Sequence, residues 1–161
     1  VTLYMVNNLT DAMLESYASM TQYYFHTMHH EFTHILNQKK PYDTSYNKIT
    51  ESGYVSGNWY QIADSKAHGQ GFVTPYAMSE GLEDFAEMLS TYIIYSPEQW
   101  QAILDDAQKN GGDEAVSALN QKLKIVKNYM KDSWDVDIDV LRAAILRRGN
   151  ELSSLDLNHL K

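Results

Sequence analysis

The chain has 161 residues, the size of one domain, with 13 basic side chains against 21 acidic ones and a net charge of −8. That acidic balance argues against a nucleic-acid partner, and no apolar run approaches the roughly 18 residues of a membrane-spanning helix. The absence of cysteine excludes a disulfide scaffold, a cysteine-based zinc finger and a cysteine nucleophile.

Residues 1–6 place Val1, Leu3 and Met5 at alternate positions and read as a short strand ending at Asn7. One helical turn is expected between Asp11 and Tyr17. The next helix is predicted over residues 21–39, where Phe25, Met28, Phe32, Ile35 and Leu36 recur at three- and four-residue steps and mark a buried stripe. Pro41, after two lysines, is its stop signal. Residues 41–78 are rich in Gly, Tyr, Ser and Asn and read as irregular, with one hairpin around Ser56, Gly57 and Asn58.

From Ser79 onward the pattern is helical. One helix is predicted over residues 80–95. Ser96, Pro97 and Gln99 then supply an N-cap, a first-turn proline and a capping-box partner. A third helix is expected from Asp113, with Val116, Leu119, Leu123, Val126 and Met130 on its buried face. A fourth is expected from Asp137, turning Val140, Leu141, Ala144 and Ile145 inward and stopping at Gly149. The expected architecture is mainly α, as a variant of α+β. It has a small N-terminal strand element and a C-terminal helical bundle in one domain over residues 1–161.

The motif that carries chemistry is His30-Glu31-Phe32-Thr33-His34, an H-E-x-x-H on a predicted helix. Positions i and i+4 project from one helix face, so both imidazoles can converge on one Zn²⁺. Glu31 flanks that face, where it reaches a water without being a ligand. A metal to acidify water and a carboxylate to take its proton are what a hydrolase needs.

A catalytic zinc keeps three protein ligands. The metzincin continuation is excluded, because Asn37 and Lys40 stand at its glycine and final histidine positions. The alternative is a glutamate on a downstream helix. Glu80, Glu83 and Glu87 share one face at i, i+3 and i+7, with Phe85, Met88 and Leu89 on the buried side, and spacing does not choose among the three.

Thr74-Pro75-Tyr76-Ala77 followed by Glu83-Asp84-Phe85-Ala86-Glu87 resembles the gluzincin arrangement in the catalytic domain of anthrax lethal factor. With the phrase Gly71-Phe72-Val73 in front, the pattern more closely resembles zinc-binding metallopeptidases of Bacteroidota. These are described as substrate-import-associated zinc metallohydrolase lipoproteins. The likeness in motifs covers roughly residues 20–95.

The resemblance implies a zincin-like fold and a zinc metallopeptidase. It makes His30, His34 and Glu83 the ligands and Glu31 the general base. Tyr76 becomes the donor to the oxyanion, and Glu87 a carboxylate that holds a ligand histidine from behind. It further implies a peptide or protein substrate. The full-length protein is then an extracytoplasmic lipoprotein, cell-surface or periplasmic, serving an outer-membrane nutrient-uptake complex. Because H-E-x-x-H lies so close to Val1, a sheet-bearing segment and a lipoprotein signal are expected upstream.

Two rival functions remain at this point. One is a non-catalytic, metal-containing accessory protein that holds peptide or glycan on its tyrosine-rich loops. The other is a structural zinc domain, for which His26 is the nearby fourth ligand. His29 points off the ligand face and is expected to be structural. His68, in the irregular region, is a candidate substrate contact.

Overall fold

The computed structural model describes residues 16–151, and all its regular elements are helical. The predicted strand of residues 1–6 and most of the turn at 11–17 lie outside the described residues. Helix α1 (Tyr17–Met20) runs through a π-helical turn (Thr21–Phe25) directly into α2 (His26–Lys39), which carries H-E-x-x-H. Two short helices follow, α3 (Ser45–Lys48) and α4 (Asp64–His68), with single 3₁₀ turns at Glu51–Gly53, Trp59–Gln61 and Tyr76–Met78. Three longer helices complete the described residues: α5 (Gly81–Ile94), α6 (Pro97–Trp134) and α7 (Ile138–Glu151).

Helix α5 is the centre of the molecule. Every side chain from Asp84 to Ile94 is buried, as expected of a helix that packs on all sides. Its polar positions Glu87, Ser90 and Thr91 turn towards α2, and its apolar ones meet Tyr42, Tyr46, Tyr129 and Met130 in the core. Phe85 illustrates the packing. Its ring stacks on Tyr42 at 4.2 Å and takes Tyr46 and Tyr129 edge-on.

The capping box before α6 forms as predicted. The Ser96 hydroxyl accepts from Gln99 N–H, and the Gln99 side chain accepts from Ser96 N–H. The third predicted helix is the second limb of α6. Gly112 breaks the rod with φ 68° and ψ −159°, a conformation open to glycine and costly for other residues, so helix resumes at Asp113. Leu119, Leu123, Val126 and Met130 are buried on that limb as expected.

Four expectations are corrected. There is no hairpin at residues 56–58. The local amides bond within turns instead, Gln61 N–H to Asn58 O and Ile62 N–H to Trp59 O, so no strand ladder forms. Phe32 is 49% exposed, because the inward face of α2 is His30, Thr33, Leu36 and Asn37. Phe32 instead lines an apolar cavity of about 630 Å³ with Met28, Leu36, Trp134, Val136 and Leu141, which neither His30 nor His34 touches. Val140 is 66% exposed, since Ile138 takes the buried position in α7 and shifts the phase of the helix. Finally, α7 runs through Gly149 to Glu151, because a glycine with helical dihedrals weakens a helix without ending it.

Candidate metal centre

The packing of α2 on α5 brings three ligand atoms together. His30 Nε2 lies 3.0 Å from His34 Nε2 and 2.9 Å from Glu83 Oε2, and Glu83 Oε2 lies 3.4 Å from His34 Nε2. Zn–N and Zn–O bonds of about 2.0–2.1 Å give a tetrahedron with edges of about 3.3–3.4 Å. The observed triangle is that size or slightly tighter. Among the described residues, His30, His34 and Glu83 form the one set of three that could hold a metal ion, each offering a single ligand atom.

The chemistry of the donors agrees with the geometry. His30 Nδ1 is 2.7 Å from Glu87 Oε1. A carboxylate only accepts, so Nδ1 carries the hydrogen, and in the neutral ring Nε2 is left with its lone pair directed at the triangle. Burial would lower the His30 pKa, but the hydrogen bond to Glu87 and the charges of Glu87, Glu83 and Glu31 outweigh it and hold it above the usual value. Electron-rich atoms converging on one point in a partly buried site call for a cation between them. The residues present therefore fit a zinc ion.

Glu87 is 3% exposed and has both oxygens engaged. Oε1 accepts from His30, and Oε2 accepts from the Thr74 hydroxyl at 2.7 Å. Burial would raise its pKa, but these hydrogen bonds and the nearby His26 and His30 hold it below the ordinary carboxylate range. Thr74 Oγ1 in turn accepts from Ala77 N–H, which fixes the turn that carries Tyr76. Glu87 thus joins the histidine to the Tyr76 turn through Thr74.

The Tyr76 ring lies 5.7 Å from the His30 ring. Burial, the Glu83 charge and a hydrogen bond with Glu83 push its hydroxyl up to about 12. It therefore keeps its proton near neutral pH and can donate. Glu31 is exposed on the flank of α2, and its charge is felt at both His30 and Tyr76. Glu80, the remaining candidate from spacing, is exposed before the start of α5 and stands apart from the cluster.

The other histidines sort by their partners. His26 Nε2 lies 3.3 Å from Thr91 Oγ1, 3.2 Å from Ser90 Oγ and 3.7 Å from Glu87, behind the triangle and outside the ligand set. His29 lines the apolar cavity. His68 bridges two segments, with Nδ1 2.7 Å from Asp106 and Nε2 donating to Val73 O at 3.1 Å. Both its nitrogens are used in holding the loop before Tyr76 against α6, which is a structural position.

The sequence reading missed a buried ion pair next to Glu83. Asp84 and Lys122 are both fully buried, with Nζ 2.6 Å from Oδ2. Tyr46 and Tyr54 hydroxyls also donate to Asp84, and Lys122 donates to Gly71 O. The available signal was Lys122 itself, which occupies an inward position between Leu119 and Val126.

Comparison with known proteins follows the same line. The model of the family described as "Putative zinc-binding metallo-peptidase" matches residues 1–139. Among solved structures, the chain is similar to a protein from Bacteroides caccae ATCC 43185 described as a putative zinc-binding metallo-peptidase. The two are 44% identical with a TM-score of 0.84, over 99% of this chain and 58% of that one. The chain therefore spans little more than half the length of that relative. No curated protein matches it.

Proposed function

The chain belongs to this family of zinc-binding metallo-peptidases, and from that premise we propose that it hydrolyses peptide bonds with zinc held by His30, His34 and Glu83. The observation that carries the reading is the triangle of ligand atoms with sides of 2.9–3.4 Å, backed by the Glu87 carboxylate on the far nitrogen of His30. Zinc bound there supplies a Lewis acid that lowers the pKa of water towards about 7 and polarises a carbonyl.

The remaining work falls to the side chains. Glu31, exposed beside the triangle, takes the proton of the attacking water and returns it to the leaving amine. Tyr76, protonated near neutral pH, donates to the oxygen that becomes negative in the tetrahedral transition state. Glu87 keeps the Nε2 lone pair of His30 available and aimed. The proposal extends to an extracytoplasmic setting beside an outer-membrane nutrient-uptake complex, a part supported by the motif resemblance.

The test separates binding from chemistry. Zinc content and turnover of a peptide mixture are measured for wild type, Glu31→Gln and Tyr76→Phe. Glu31→Gln should keep its zinc and lose roughly 10²–10⁴-fold in turnover, the usual size of general acid–base assistance. Tyr76→Phe should keep zinc and lose less. Substantial turnover by Glu31→Gln would overturn the mechanism. A wild type that binds zinc and peptides but cleaves none would favour the accessory binding protein.

A further inference from the structure

The aromatic series that begins at His30 does not stop at Tyr76. Trp59 meets the Tyr76 ring edge-on at 4.8 Å, and Tyr60 follows Trp59 at 5.9 Å. The rings therefore lead from the ligand triangle outward to Tyr60, which is 67% exposed. One exposed tyrosine needs no explanation. Its backbone does. Ser56 and Asn58 both hold positive φ, 54° and 61°, on a segment where neither is glycine. Asparagine takes this conformation readily, and Asn58 Oδ1 accepts from the Tyr60 hydroxyl, but at Ser56 it costs free energy, and such positions collect at ligand clamps and active sites. The segment is also fastened to the site, since Val55 N–H donates to Met78 O at 2.8 Å, in the turn that holds Tyr76. The loop is thus anchored beside Tyr76, with the Trp59 and Tyr60 rings continuing an edge-on series from it.

We propose that Trp59 and Tyr60 form a substrate subsite for a flat or large apolar side chain, aromatic or leucine-like, of an extended peptide. An extended chain advances about 3.3 Å per residue. Steps of 4.8 and 5.9 Å beyond Tyr76 therefore keep the Tyr60 ring within the reach of about three extended residues from the Tyr76 ring. The inference rests on the peptide-hydrolase reading and adds the side chain that the enzyme selects.

The experiment uses zinc-loaded Glu31→Gln, which binds substrate without consuming it. Its probe is a set of fluorescein-labelled decapeptides in which Phe, Leu, Ser or Lys is placed in turn at three positions on either side of a central Ala-Ala. Fluorescence anisotropy should show Phe and Leu preferred over Ser at one position by roughly 2–10-fold, the yield of one aromatic contact. Adding Tyr60→Ala should remove the preference, Tyr60→Phe should keep it, and Val140→Ser, an exposed apolar control on α7, should leave it alone. A preference unchanged by Tyr60→Ala, no preference at all, or binding of cellohexaose in place of every peptide would overturn the proposal. The two readings fail separately. Cleavage by the wild type without side-chain preference sinks the subsite alone. Tyr60-dependent peptide binding without any cleavage by the wild type sinks the hydrolase and leaves the subsite standing.

Discussion

Replacing Glu87 by glutamine probes the centre without touching a ligand atom. The variant is nearly isosteric, and the site has room for it in one orientation. The amide oxygen can accept from His30 Nδ1, as Oε1 does now, and the amide nitrogen can donate to Thr74 Oγ1, which has a spare lone pair. Geometry survives and the negative charge is lost. His30 becomes a poorer donor, and changes of this kind behind a ligand typically weaken metal binding 10–100-fold. That range corresponds to about 1.4–2.8 kcal/mol. The assay is zinc competition against a chromophoric chelator of known affinity, with circular dichroism to verify the fold. Glu83→Gln, which removes a ligand charge from the triangle, should lose far more than 100-fold in the same assay. Zinc affinity of Glu87→Gln equal to wild type would refute the reasoning, and so would a loss as large as that of Glu83→Gln. In the first case the carboxylate does not act through His30, and in the second Glu87 binds the metal itself.

Two further outcomes follow from the buried contacts. Lys122→Met leaves the Asp84 carboxylate in the core without its ion-pair partner and should destabilise the fold by roughly 3–5 kcal/mol, whereas Lys122→Met with Asp84→Leu should recover only part of it, since the Tyr54 hydroxyl and Gly71 O then each lose a partner. Thermal unfolding reads both, with a shift on the order of 10 °C for the single variant. Thr74→Val removes the hydroxyl donor to Glu87 and should cost roughly 1.5–3 kcal/mol in urea unfolding, while Thr74→Ser should restore stability.

Local chemistry was legible where neighbours in sequence are the partners. The capping box at Ser96 and Gln99, the start of helix at Asp113 and the pairing of His30 with His34 all follow from residues no more than four apart or from one residue's own conformation. Periodicity did less well, since it finds an apolar stripe without saying what covers it. Phe32 and Val140 sit on the predicted stripes and lie exposed, because the buried faces of α2 and α7 are turned from those stripes, through Thr33 and Ile138. Contacts far apart in sequence were hidden altogether. Lys122 meets Asp84 across 38 residues and His68 meets Asp106 across the same distance, and no local spacing encodes either pair.

The surroundings of the acidic residues at the start of α5 show why spacing could not choose among Glu80, Glu83 and Glu87. Glu83, Asp84 and Glu87 lie within five residues of one helix, the first two in its opening turn, where the dipole favours a carboxylate. Their surroundings then drive them apart. Asp84 turns into the core, where burial raises its pKa despite Lys122 and two tyrosine hydroxyls. Glu87 turns to α2, where His30 and Thr74 satisfy both of its oxygens. Glu83 is left at the edge of the triangle, facing two imidazole nitrogens and no fixed cation. Lys122 answers the charge of Asp84, while Glu87 is satisfied by the Nδ1–H of His30 and the Thr74 hydroxyl, with His26 nearby. Glu83 is thus the carboxylate that faces two imidazole nitrogens rather than a lysine or a hydroxyl–histidine pair, and a divalent metal held there would meet all three donors at once.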